Sequence, residues 1–107
     1  MKIMSLDQST TRSGFSVFVD GQYVKSGLID KHKNKDLNSR FKEMYEGIHE
    51  VIETENPDIV VIEDTQMQGG NGATYKVLCQ LQGAIMGMCY AMNIGFVVVT
   101  PSQWRSA

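Results

Sequence analysis

Cysteine and proline are nearly absent from this chain, with two of each in 107 residues. Cys79 and Cys89 have no histidine or second cysteine at ligand spacing, so they spell neither a disulfide framework nor a zinc site. Both fall in a helical pattern and are expected to be buried packing thiols. A large excess of positive charge is also missing. The net charge is −2 and the pI about 5.6, which argues against a surface given over wholly to nucleic acid. Basic residues do gather at Lys31, Lys33 and Lys35 around His32, with Arg40 and Lys42 nearby. A solvated loop is the expected reading of that run. From Val77 to Trp104 there is no charged residue at all. Gln80, Gln82, Asn93 and several glycines interrupt the stretch, which lacks the run of about 20 apolar residues that a membrane helix needs. No membrane partner is expected. Asp7 cuts the opening apolar run too early for a signal peptide, and a cytoplasmic setting, in a bacterial cell or a phage-infected host, is expected. There is no internal repeat and no low-complexity segment. With 42% hydrophobic residues, the chain suits one domain, residues 1–107, around one core.

What is present is an orderly alternation of patterns. Residues 2–7 read as a buried strand. Gly14 to Val19 and Tyr23 to Ile29 are β-branched and aromatic runs, and Asp20-Gly21 between them is a strong hairpin signal. Together these predict a three-stranded antiparallel meander. From Leu37 the period changes, and Phe41, Met44, Tyr45, Ile48, Val51 and Ile52 share one helical face. Asn56-Pro57 stops that helix. Ile59 to Ile62 is a short apolar run suited to a central strand. Gln66 to Gly72 is a glycine-rich loop, and Thr74 to Met92 a second helix with a stripe of small residues, Gly83, Gly87 and Ala91. Phe96 to Val99 is a last strand. Thr100-Pro101-Ser102-Gln103 has the form of a helix start, with Trp104 as that helix's first anchor. The sequence stops a few residues later, so a C-terminal helix is expected to be lacking and the chain to be cut.

Two of these strands end in carboxylates. Asp7 closes the first, and Glu63 and Asp64 follow the fourth. In open sheets, functional groups collect outside the carboxyl ends of parallel strands. If the first and fourth strands are parallel neighbours, Asp7 and Glu63 emerge side by side, with Asp64 directed away. Two adjacent carboxylates repel unless a proton or cation lies between them, and hard oxygen ligands suit Mg²⁺ or Mn²⁺. The bland alternative is a pair of strand-end acids in solvent.

These residues carry a resemblance. "SLDQSTTRSGFSVF", "NPDIVVIED" and "VVVTPSQWR" together resemble the RuvC-type Holliday-junction resolvases of the RNase H-like nuclease superfamily, in order and spacing over nearly the whole chain. The resemblance implies an α/β fold with an RNase H-like mixed sheet, a meander plus parallel strands, and helices packed on it. It implies metal-dependent hydrolysis of branched DNA such as a four-way junction, with Asp7 and Glu63 as catalytic metal ligands for Mg²⁺ or Mn²⁺. Ser9, Thr10 and Thr11 would set hydroxyls and backbone N–H groups near a phosphate, although the same residues also make ordinary turns. Arg12, Gln66, Met67 and Lys76 complete the expected substrate-binding set. Met67 reads either as an apolar wedge or as a gap-filling core contact. The family completes its site with further acids on a C-terminal helix, and Ser102 to Ala107 contains none. A homodimer through residues 74–92 is also expected, using the small stripe and the apolar side chains of Tyr75, Leu78, Leu81, Ile85, Met88 and Met92, since two symmetric cuts suit a twofold assembly.

Two rival readings remain. "DQSTTRSG" also resembles the first phosphate-binding motif of sugar kinases in the actin-like ATPase superfamily, whose two large domains exceed this length. A nuclease-like module used only for DNA binding or assembly is the other.

Overall fold

A computed structural model describes residues 1–31, 36–65 and 72–100. The first strand, β1 (Lys2–Asp7), pairs antiparallel with β2 (Arg12–Val19), which pairs antiparallel with β3 (Gln22–Asp30). The β2–β3 turn is made by Asp20 and Gly21 at φ 51° and 81°. Both central residues are left-handed, the twist that a tight hairpin requires. Asp20 also pairs with the N-terminal ammonium at 2.6 Å.

The first helix, α1 (Leu37–Glu55), starts at Asp36, whose carboxylate accepts from the Ser39 N–H at 3.1 Å. It ends on Asn56, which adopts a left-handed conformation and donates its N–H to Ile52 O at 2.8 Å. Asn tolerates that conformation, and Pro57 prevents the helix from continuing. The chain then enters β4 (Ile59–Glu63), crosses back as α2 (Gly72–Ala91) and finishes in β5 (Gly95–Val99). The sheet order is β3-β2-β1-β4-β5, with β4 parallel to both β1 and β5. The mixed sheet therefore has the form the sequence predicts; β1 and β4 begin where their apolar runs do, and β2, β3 and β5 begin one or two residues earlier.

Strand alternation divides the sheet into two faces. Met4, Leu6, Val17, Val60 and Ile62 turn to one side and are buried with Met44, Ile48 and Ile52 of α1 and Leu81, Ile85, Met88 and Cys89 of α2. At Gly47 a Cβ would come within 2.7 Å of Ile29 Cγ2, so the absence of a side chain there lets α1 lie close over β3. The opposite face carries Ser5, Asp7, Gly14, Ser16, Leu28, Glu63 and Val97. Among the described residues no helix covers it, and Leu28 and Val97 are 67% and 48% exposed.

Two expectations for α2 need correction. Cys89 is buried, but Cys79 is exposed. The buried stripe runs through Leu81, Ile85, Met88 and Cys89, and a ten-residue offset puts Cys79 about 80° around the helix from Cys89. Leu81, Ile85 and Met88 are likewise spent on the monomer's own core, so they are not available to a partner. The exposed flank is the small one: a Cβ at Gly83 or Gly87 would meet nothing within 4 Å. The sequence expectations for His32, Lys33, Lys35, Gln66, Met67 and a helix from Pro101 lie outside the described residues. Among the described residues, no helix is long and apolar enough to cross a membrane.

One buried charge was not foreseen. Glu55 is only 7% exposed, at the last turn of α1. Lys25 Nζ reaches one carboxylate oxygen at 2.6 Å and Lys2 Nζ the other at 3.4 Å, which joins the helix end to β3 and β1. The Lys25 hydrogen bond leads in holding this carboxyl below the usual glutamate range, with Lys2 adding to it against the cost of burial. A lowered folded pKa adds stability that is complete above the ordinary glutamate range and is lost as pH falls through the folded value. Glu55→Gln should therefore cost about 1–2 kcal/mol at neutral pH. The deficit should shrink in acid, as read from urea unfolding midpoints across pH.

Candidate functional site

The site is built where β1 and β4 end. Their parallel register runs from Ile3↔Ile59 to Leu6↔Ile62, so the next residue on each strand is an acid. Asp7 and Glu63 follow buried Leu6 and Ile62 and therefore point to the opposite, open face. The two carboxyls lie close enough for Asp7 to act on Glu63, and both line one groove. Glu63 is half-buried, and its carboxyl is pushed above the usual glutamate range, first by burial and then by the Asp7 hydrogen bond and charge. Beside the acids, a groove of about 640 Å³ extends over β1, β2 and β3. Its floor includes Ser5, Gly14 and Ser16, small side chains that leave the acids accessible.

Asp64 does not join the pair. Its N–H bonds Val99 O at 2.7 Å, and its charge acts instead on Tyr75 of α2, whose phenol is raised chiefly by a hydrogen bond with Cys79. Among the described residues no cluster of three or more Asp, Glu, His or Cys side chains forms. Two adjacent carboxylates supply part of a hard-cation shell, and their donor chemistry fits Mg²⁺ or Mn²⁺.

Ser9, Thr10 and Thr11 make the turn between β1 and β2. Buried Ser13 organises it by accepting from the Ser9 N–H and donating to Ser9 O, each at 3.0 Å. The Thr11 N–H bonds Ser9 Oγ at 3.3 Å. Arg12 pairs with Asp30 at 3.3 Å across the hairpin. Lys76 is exposed on α2. Gln66 and Met67 are outside the described residues.

Three side chains that sequence reasoning passed over hold Glu63's surroundings. Gln8 donates its side-chain amide to Glu63 O at 2.7 Å. Gln82 Oε1 accepts from the Thr65 N–H at 2.8 Å and the Thr65 hydroxyl at 2.9 Å, so Thr65 is fixed to α2. The available signal was the position of Gln82 in a helix otherwise rich in apolar residues, where a buried amide needs a partner.

The raised Glu63 pKa has a stability consequence. The folded state holds its proton to higher pH than the unfolded chain, so stability falls as pH rises from the ordinary glutamate range through the raised value. In metal-free buffer at neutral pH, Glu63→Gln should stabilise the fold by under about 1 kcal/mol, since the pair is partly solvated. Calorimetry should show the difference vanishing below the ordinary glutamate range.

The profile of the crossover junction endodeoxyribonuclease RuvC family matches residues 3–107. The RuvC protein of Ralstonia pickettii is 32% identical over 111 residues, covering all of this chain and 61% of that protein. The chain spans about three-fifths of the length of such relatives. Thermus thermophilus RuvC in complex with Holliday junction substrate superposes with a TM-score of 0.80 at 14% identity, covering 96% of this chain and 66% of that one. The Fowlpox virus resolvase in complex with Holliday junction DNA gives 0.65 at 18% identity, covering 94% and 61%. These likenesses favour the nuclease reading over the actin-like one.

Proposed function

The chain belongs to the RuvC family of crossover junction endodeoxyribonucleases, and from that premise we propose that it carries the strand-borne acids of a metal-dependent endonuclease that cleaves four-way DNA junctions. The observation that carries this is the pair Asp7 and Glu63, which end adjacent parallel strands and line one groove on the same face of the sheet.

In this reading Asp7 and Glu63 hold Mg²⁺ or Mn²⁺. Such an ion, when bound, activates water and stabilises the leaving oxygen of a phosphodiester. The protein's own part is electrostatic and geometric. Partial burial of Glu63 beside Asp7 makes the doubly ionised pair costly without a cation, so the pair favours one. The Ser9–Thr11 turn follows Asp7 directly and brings hydroxyls with which a phosphate can be aligned, while its Ser9 and Thr11 N–H groups are spent on holding the turn. Arg12 pairs with Asp30 in an exposed ion pair, which is worth little, so it can turn to the DNA backbone. Lys76 offers a cation from α2, and Gln66 and Met67, next after Thr65, are assigned to the DNA on sequence grounds. The setting is the cytoplasm of a bacterium or a phage-infected host.

We also propose a homodimer through α2. Gly83, Gly87 and Ala91 are exposed on one flank, with Tyr90 exposed beside them, and a second α2 could approach closely there. Twofold symmetry would place two acid pairs on a four-way junction. Gly87→Glu in the full-length protein should shift sedimentation at micromolar concentration from dimer to monomer. A wild-type protein that sediments only as monomer would remove this proposal.

The central test is cleavage of a labelled four-way junction by the full-length protein in Mg²⁺. Asp7→Asn or Glu63→Gln should lower the rate by at least about a thousandfold, as losing a metal-based catalyst should, while junction binding in a gel shift stays intact. Retained cleavage would place the chemistry elsewhere.

A further inference from the structure

We propose that Gln8 is a positioning residue whose side-chain amide sets the separation of the Asp7 and Glu63 carboxylates, and thereby the site's affinity for divalent metal. The proposal rests on the metal-site reading of that pair.

The β1–β4 register is recorded as far as Leu6↔Ile62, and the chain leaves the sheet after Asp7. Asp7 stays paired with Gly14 of β2 and Glu63 with Val99 of β5, but the register between β1 and β4 stops one residue short of the acids. When both are ionised they repel, and the β1–β4 register offers no Asp7↔Glu63 rung against a splaying of the two side chains. Gln8 supplies that resistance, because its Nε2 reaches Glu63 O at 2.7 Å. A side-chain rung thus extends the sheet by one level at the acids. On its other flank Glu63 is held through the Asp64 N–H bond to Val99 O, so Gln8 is the tie on the side that faces Asp7.

The amide's orientation is fixed by chemistry. A carbonyl can only accept, so the atom facing Glu63 O is the nitrogen. The Gln8 Oε1 is then turned elsewhere, and it is buried without a hydrogen-bond partner among the described residues. A buried, unpaired acceptor is a cost to folding. An apolar residue of the same shape would avoid that cost and lose only the bond to Glu63 O. A residue present for stability alone would not show this balance, whereas one that holds Glu63 in place for a ligand would. Metal ligation demands this closeness, since Mg²⁺ takes its oxygens at about 2.0–2.1 Å in near-octahedral geometry.

The test uses the full-length protein with Mn²⁺ as probe, titrated calorimetrically, and melting temperatures measured in metal-free buffer. Gln8→Met keeps the shape and removes the donor. Gln8→Asn keeps the donor on a side chain one methylene shorter. Both should weaken Mn²⁺ binding roughly tenfold, as losing a residue that orients a ligand does. Gln8→Met should leave the melting temperature unchanged or raise it. Junction cleavage by Gln8→Met should be restored by raising Mn²⁺, and cleavage by Asp7→Asn should not. Wild-type Mn²⁺ affinity in both Gln8 variants, with binding lost in Asp7→Asn, overturns the positioning role alone. A lowered melting temperature with no rescue by Mn²⁺ assigns Gln8 to the fold and also overturns it. Mn²⁺ binding unaffected by Asp7→Asn overturns the metal-site reading, and the role of Gln8 with it.

Discussion

The parallel pairing of β1 with β4 is the constraint on which the rest of the structure depends. Strands that run the same way finish at the same end of the sheet, so acids that close each of them meet. Direction alone is insufficient, because a slip of one residue would turn one acid toward the helices and the other toward solvent. The register is pinned at the far end by Asp58. Its carboxylate accepts from the Lys2 N–H at 2.7 Å, and its own N–H donates to Lys2 O at 2.8 Å. From there Met4 and Leu6 alternate in step with Val60 and Ile62 into the core. Any register that buries these four side chains together also places Asp7 and Glu63 on one face. The packing of apolar residues thus fixes the position of two acids that contribute nothing to it.

Two half- or fully buried glutamates show what the fold does with negative charge. Glu55 is enclosed by Lys2 and Lys25, and its carboxyl is held low. Its charge is answered within the chain, and its effect is to fasten α1 to the sheet. Glu63 is set beside another acid, and its carboxyl is pushed high. Among the described residues no Lys or Arg pairs with it by salt bridge. The same side chain, at similar helix- or strand-end positions, is structural in one place and electrostatically unsatisfied in the other. An unsatisfied anion held at the mouth of a groove is the physical content of a cation site.

The elements that could be read from the sequence are those with local signals. Asp20-Gly21 specified the hairpin because only a few residues adopt its left-handed conformations. The period of Phe41, Met44, Ile48 and Ile52 specified α1, and Asn56-Pro57 its end. Asp7 and Glu63 stood out because a charge after an apolar run has no packing reason to be there. What escaped was long-range and polar. The bonds from Gln8 to Glu63 O and from Gln82 to Thr65 join positions far apart in sequence, and an amide carries no periodicity that reveals its partner. Glu55 looked like any acid in the last turn of a helix until β1 and β3 brought two lysines to it. Cys79 was misplaced for a related reason: α2 is apolar around much of its circumference, so composition did not tell its buried side from its exposed one.

That ambiguity in α2 has a counterpart in the sheet, and it bears on how DNA could approach. Strands in parallel ladders are usually covered on both faces, yet here Val97 of β5 is open on the face that bears the acids, as is Leu28 of the antiparallel β3. The groove beside the acids is floored by serine and glycine, which add neither bulk nor charge. In the proposed reading, a phosphate entering this groove would therefore meet two carboxylates, and among the described residues no Lys or Arg lines it. With a net charge of −2, the chain as a whole offers no broad attraction to offset that repulsion. A bound divalent ion reverses the local sign and would be the largest charge in the site. The metal would thus be needed for the substrate phosphate to settle there at all, before it has any part in breaking the bond. The same inversion explains why the acids can stay exposed: a pair buried beyond reach of solvent would hold a proton in place of the ion, and a pair in open water would hold neither.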